Sequence, residues 1–161
     1  MLALVFCLGD ERYALECSQV VEVAPLVPLR KLAQAPPYVA GVFVYRGKPV
    51  PVLDLCQMTL GRPCRMLMST RVILVKYPAP SVGAPPGGRP AGEQQVLGLL
   101  AERVTETTQC EPAAFAPAGV KADAAPYLGG LAPDGQGLMQ SVQLEKLLPE
   151  DVRALLFQAT D

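Results

Sequence analysis

The chain has 161 residues, half of them apolar and 18% charged, with a net charge of −1. That is one domain, or two small subdomains sharing a core, in a globular chain long enough to bury roughly 68–70% of its unfolded surface without metal or disulfide support. With no basic stripe there is no electrostatic footprint for nucleic acid or for an anionic membrane surface. The absence of any histidine removes the commonest general base and metal ligand.

The elements predicted along the chain are mostly short strands. Leu2–Leu8 is a continuous apolar run that suits a strand buried on both faces. It is too short, and too soon followed by Gly9, Asp10 and Glu11, to be a targeting segment. No run of about 20 apolar residues follows it, so no membrane insertion is expected and the chain reads as cytoplasmic. Gly9-Asp10 is a turn and Arg12–Glu16 the return strand of a hairpin. Ser18 is placed to cap a short helix carrying Val20, Val21 and Val23, and Pro25, Pro28, Pro36 and Pro37 break any longer element after it.

Gly41–Tyr45 and Pro49–Leu53 form a second hairpin with Arg46-Gly47-Lys48 at its tip. Pro49 and Pro51 lie two apart, so both missing N–H donors fall on one strand edge, which cannot carry a full ladder. Asp54 opens a helix, Gln57 completes an Asp-x-x-Gln variant of the capping box, and Gly61 and Pro63 close it. Residues 71–77 are another apolar strand. Residues 78–95, rich in proline and glycine, read as a mobile surface loop; their prolines and the missing Gly-Lys-Ser/Thr rule out a phosphate loop. Val96–Ala101 resumes the strands. A last helix starts at Pro149, with Val152, Leu155 and Leu156 as its apolar stripe.

The chain is written twice. Residues 13–23 (YALECSQVVEV) lie over 97–107 (LGLLAERVTET), and Tyr38-Val39-Ala40-Gly41-Val42 lies over Tyr127-Leu128-Gly129-Gly130-Leu131. Each half therefore has the order hairpin, short helix, irregular link, hairpin. Short strands with frequent turns point to small closed barrels, since closure removes exposed edges.

Five stretches, in order, carry a resemblance: Leu8–Leu15 with Val20–Val23, Gly41–Leu55, Leu97–Val104, Tyr127–Leu131, and Leu144–Leu148. Together they resemble the CheW-like coupling proteins of bacterial chemotaxis over nearly the whole chain. The resemblance implies a mostly β fold of two pseudo-repeated, intertwined five-stranded SH3-like barrels with short helices and a C-terminal helix. It spans residues 1–161 as a single CheW-like domain, with the first barrel mainly over 12–70. The second lies mainly over 71–148 with the N-terminal strand exchanged into it, and the helix over 149–159. It implies no catalysis and no cofactor. The partners it implies are the cytoplasmic tip of a chemoreceptor and the regulatory domain of a CheA-like histidine kinase, in arrays at the inner membrane.

Two departures stand out. The family's asparagine before the arginine is Val44, and its aspartate in the second half is Glu102. They point to an alternative chemosensory system of surface-sensing type.

Arg46 matches a family position used in partner binding; from the residues alone it is a solvated turn residue. Val20 and Glu22 match positions facing the receptor, where the residues alone give a core valine and a solvated charge. Val44 and Tyr45 precede the arginine and complete the expected partner-binding set. Cys7, Cys17, Cys56, Cys64 and Cys110 are odd in number, without CxxC spacing, and read as buried small hydrophobes rather than a disulfide framework, a metal site or a nucleophile. A generic small β-barrel binding linear peptides, unrelated to chemosensing, remains the second reading. The lack of tryptophan and a Tyr-plus-Phe-plus-Trp content of only 6% argue against its aromatic groove. A small hydrolase or redox enzyme has neither histidine nor a CxxC pair to work with.

Overall fold

The computed structural model describes residues 1–77, 95–117, 125–134 and 137–157. Nine strands run in the order β1 (Leu2–Leu8), β2 (Glu11–Glu16), β3 (Val20–Ala24), β4 (Val39–Tyr45), β5 (Lys48–Asp54), β6 (Arg71–Tyr77), β7 (Gln95–Gln109), β8 (Leu128–Asp134) and β9 (Gly137–Val142). Helix α1 (Leu55–Leu60) follows β5, and α2 (Glu150–Leu156) comes near the end. The loop expected at 78–95 lies outside the described residues up to 94, and the helix end expected at 159 lies outside them beyond 157.

Strand pairing sorts these elements into two five-stranded SH3-like barrels. In one, β3 pairs β6, β6 pairs the first half of β7, and that half pairs β5 in parallel, with β4 on β5. In the other, the second half of β7 pairs β1, β1 pairs β2, β2 pairs β9 in parallel, and β9 pairs β8. The expected division at residue 70 is therefore redrawn. Strand β6 and residues 95–101 belong with the first barrel, and Glu11–Glu16 joins the N-terminal strand in the second. The chain changes barrel within a single extended stretch, at 17–19 in one direction and near 102 in the other.

The internal repeat is visible as matched bonds. Asp54 N–H donates to the Tyr38 carbonyl at 2.7 Å, and Gln143 N–H to the Tyr127 carbonyl at 2.7 Å. The isolated bridge Arg30–Val42 has its counterpart in Ala116–Leu131. A Cβ on Gly41 would lie 2.7 Å from the Arg30 carbonyl oxygen, and one on Gly130 would lie 2.7 Å from the Ala116 carbonyl oxygen. The repeated glycine thus lets a loop cross the hairpin at backbone contact, in both halves, where any side chain would collide.

Local elements follow the expectations with four corrections. The helix expected after Ser18 is a single 3-10 turn, Cys17–Gln19, with no side-chain cap; Val20–Ala24 is strand. Clustered valines lose rotamer freedom in a helix and suit the pleat, and this outweighs the capping residue. At the equivalent place in the second half no helix starts, and β7 runs through with Arg103 at φ 48°. The register on β1 slips there, from Val5–Glu106 to Cys7–Glu102, so Arg103 marks a bulge. Asp54 does cap α1, accepting from Gln57 N–H at 3.1 Å. The reciprocal half of the capping box is absent, because the Asp54 N–H is taken by Tyr38. On α2, Val152 is buried and Leu156 partly so, while Leu155 faces solvent; Phe157 completes the stripe by stacking on Tyr77 at 5.8 Å.

Strand β1 is buried on both faces as its composition predicts. Leu4, Phe6 and Leu8 enter the large shared core with Leu15, Val52, Ile73, Leu97 and Leu99, whereas Ala3 and Val5 turn to a smaller cluster with Ala14 and Met139. Alternation sends successive side chains to opposite faces, so a strand between two cores is apolar throughout. Pro49 and Pro51 pair with Val44 and Val42 on β4, while the parallel ladder to β7 begins only at Val52. The prolines sit where no second neighbour asks for their N–H.

Candidate functional site

The β4–β5 hairpin closes through Arg46 and Gly47, with Tyr45 opposite Lys48 and φ of 49° and 77° at the two turn residues. Positive φ at both is the type I′ geometry, whose twist matches the strands it joins. The turn projects the Arg46 side chain into solvent, 76% exposed.

Three of the expected residues meet here. The Tyr45 hydroxyl donates to Glu22 Oε2, and Arg46 Nη2 lies 3.9 Å from the same oxygen. The Arg46 guanidinium stands 5.0 Å from the Tyr45 ring centroid, a cation–π distance. Phe43 supports Tyr45 edge-on at 6.4 Å. The hydrogen bond to Glu22 is the largest influence on the Tyr45 hydroxyl and raises its pKa, desolvation adds to this, and Arg46 opposes it. The phenol thus remains a donor at neutral pH, and Glu22, half exposed, is held pointing along the hairpin tip.

The other two point elsewhere. Val44 sits on the opposite face of β4 from Tyr45 and is 70% exposed. Val20 is partly buried against the main core opposite Val75. Glu22 is nonetheless outside, because the β3–β6 register slips between Val20 and Glu22 and the extra residue, Val21, breaks the alternation. The bulge is what separates a packing valine from a surface carboxylate two residues later.

A second polar assembly lies where β7 changes barrel. Glu102 is fully buried, and its carboxylate accepts Gly9 N–H at 3.1 Å, Arg65 N–H at 2.5 Å and Arg62 Nη1 at 3.2 Å. Arg65 Nη2 adds a contact at 3.4 Å. Burial alone would raise its pKa; the Arg65 N–H, the Arg62 and Arg65 side chains and the Gly9 N–H outweigh it and hold it at about 2. Glu102 therefore ties the β1–β2 turn and the 62–65 segment to β7. The resemblance marks it as standing where the family has an aspartate, but by composition alone a charge at the end of an apolar run is a surface residue.

A cleft of about 330 Å³ opens between the repeats, lined by Tyr38, Met58, Tyr127, Lys146, Leu148 and Pro149. Tyr38 and Tyr127 are the repeat-equivalent pair, and Tyr127 shares a 2.8 Å hydrogen bond with Thr59. The lining offers packing surface and a single amine, without a nucleophile beside a base.

A CheW-like domain family model matches residues 2–152. The chain is 29% identical over 153 residues to the chemotaxis protein CheW of Klebsiella aerogenes, covering 95% of this chain and 84% of that one. It is 22% identical over 148 residues to the chemotaxis protein CheW of Helicobacter pylori, covering 91% and 80%. The crystal structure of the scaffolding protein TtCheW from Thermoanaerobacter tengcongensis superposes with a TM-score of 0.76 at 24% identity, over 94% of this chain and 89% of that one. With the two barrels, the strand crossings and a match over 2–152, the chain belongs to the CheW-like domain family.

Proposed function

We propose that this chain is a non-catalytic adaptor that couples chemoreceptors to a CheA-like histidine kinase in a chemosensory array, and that the Glu22–Tyr45–Arg46 tip is its recognition surface. The observation that carries the reading is a mostly exposed arginine, oriented by a tyrosine ring and a carboxylate, at a rigid two-residue turn. A guanidinium so placed presents planar donors to carboxylates or carbonyls of a partner helix. Val44 adds an exposed apolar contact on the other side of the hairpin. Val20 supports the site from beneath. The receptor tip is the partner proposed for this surface. The kinase's C-terminal regulatory domain is proposed to dock on strand edges of a barrel, since backbone pairing tolerates side-chain variation. Valine in place of the usual asparagine supports a role in an alternative, surface-sensing type of system.

Arg46→Glu tests the assignment. Loss of the exposed head group opens no cavity, so stability changes by about 0.5 kcal/mol or less. Charge reversal at an interface leaves a partner group facing like charge and costs several kcal/mol of binding. The variant is expected to keep its melting temperature and to fail in joining receptor and kinase in one complex by size-exclusion chromatography. Assembly at wild-type affinity, or a variant that unfolds, refutes the role given to Arg46. Recovery of the kinase through its phosphotransfer domain alone refutes the coupling arrangement.

A further inference from the structure

Asp54, Cys56 and Cys64 converge in the interior behind α1. All three are buried, and one carboxylate oxygen and the two Sγ atoms lie within 4.8 Å of one another. They come together because Asp54 ends β5, Cys56 lies in the first turn of α1, and the chain returns after Gly61 to place Cys64 alongside. Asp54 itself holds the return, accepting Cys64 N–H at 3.2 Å on Oδ1 and 3.0 Å on Oδ2 while it caps the helix. Cys64 Sγ is 3.4 Å from the Leu100 carbonyl oxygen on β7. Asp54 makes no ion pair among the described residues.

We propose that Asp54, Cys56 and Cys64 form an internal site for a borderline-soft divalent cation, with zinc as its chemical type. Two sulfurs and one carboxylate oxygen suit that ion, and hard cations would reject the sulfurs. Tetrahedral zinc with Zn–S bonds of about 2.3 Å spaces its sulfurs by about 3.8 Å, so donors already within 4.8 Å need to move by about 1 Å at most. The fourth position falls to the Leu100 carbonyl or a water. Binding is pure coordination. The ion displaces one proton from each thiol to solvent, no electron is transferred, and two thiolates, one carboxylate and a doubly charged cation leave a net charge of −1. The cation would pin the 62–65 segment, which carries the arginines that clasp Glu102, from a second side.

The full chain, reduced and metal-free, is titrated with Zn2+ against a chromophoric chelator, both as the native protein and after refolding with the ion. The expected result is one equivalent bound, with about two protons released per ion near neutral pH. Cadmium should give an ultraviolet thiolate-to-metal charge-transfer band. Cys56→Ser and Cys64→Ser should each weaken binding by about 100-fold or more, beyond the 10–100-fold typical of groups that only support a ligand. Asp54→Asn keeps an amide oxygen for the helix cap and should still weaken binding, while Cys17→Ser and Cys110→Ser should leave it unchanged. If the cysteine variants do not fold, the wild-type proton count and cadmium band decide alone. The proposal is overturned if wild type takes up no stoichiometric zinc, releases no protons, or loses binding with Cys17 or Cys110 instead. A Cys56–Cys64 disulfide in the purified protein overturns it too.

Discussion

Glu102→Gln removes a charge where β7 passes between the barrels, and the structure sets the size of the effect. The carboxylate is fully buried and takes two backbone N–H groups and two guanidinium groups. Holding a glutamate at about 2 instead of 4.5 contributes about 3 kcal/mol of stability, at 1.36 kcal/mol per pKa unit. Arg62 and Arg65 are themselves 39% and 51% exposed, so their charges return to water in the variant and add little to this cost. The folded pKa is depressed, so this contribution is complete above pH 4.5 and is lost as pH falls toward 2. Glutamine preserves the shape, but its amide turns two donors toward groups that are themselves donors. At pH 7 the variant should lose about 3 kcal/mol in urea denaturation, or roughly 6–12 °C in melting temperature for a chain of this size. Its stability should also fall less steeply than that of wild type between pH 4.5 and 2. A loss below about 1 kcal/mol at pH 7, or parallel acid profiles, would show that the clasp does not carry this energy.

Gly41→Ala forces a Cβ to within 2.7 Å of the Arg30 carbonyl oxygen at φ 151° and should cost roughly 1–3 kcal/mol in chemical denaturation. Gly47→Ala meets nothing within 4 Å and should lose only about 1 kcal/mol, from its φ of 77°. All five tyrosines are shifted upward, Tyr13, Tyr38, Tyr77 and Tyr127 chiefly by desolvation and Tyr45 chiefly by Glu22. Spectrophotometric titration of the native protein should therefore show less phenolate at pH 10 than the unfolded chain does. The unfolded chain ionises there first, so stability should fall as pH rises past 10; a full phenolate signal at pH 10 without unfolding would contradict this.

The elements readable in advance were those whose pattern had one solution. A seven-residue apolar run between turns fits a strand between two cores, and Asp54 with Gly61 fits a capped short helix. What was not readable was where the chain changes barrel. Residues 13–23 and 97–107 are alike, yet one makes a 3-10 turn at Cys17–Gln19 and the other a bulge at Arg103. Local propensity does not decide between them, because pairing with β1 on one side and β6 on the other sets the backbone. The tip residues were legible as a turn with an arginine. That Glu22 reaches them depends on the bulge at Val21, a matter of register between distant strands. Glu102 lies about forty residues from Arg62 and Arg65 in sequence, and no spacing joins them.

The strand crossings bear on how an adaptor of this shape works. Two separate barrels on a linker would tether partners and transmit nothing. Here β2 leads directly through Cys17–Gln19 into β3, and β7 carries one continuous strand back the other way. Phe6, Leu15 and Leu97 pack in one core with Val52 and Ile73, so the barrels share an interior as well as two covalent crossings. Close-packed interiors respond to displacement by discrete rearrangement, not gradual deformation. Glu22 lies on β3, which pairs β6; β6 pairs β7; and β7 reaches β1 and the Glu102 clasp. A partner that pulls on the hairpin tip or on β3 therefore acts on a strand two places from the one threading both barrels. Weakening the clasp should loosen the relation between the two ends before it unfolds either, so a Glu102 variant that still binds each partner singly should bind the pair with reduced cooperativity.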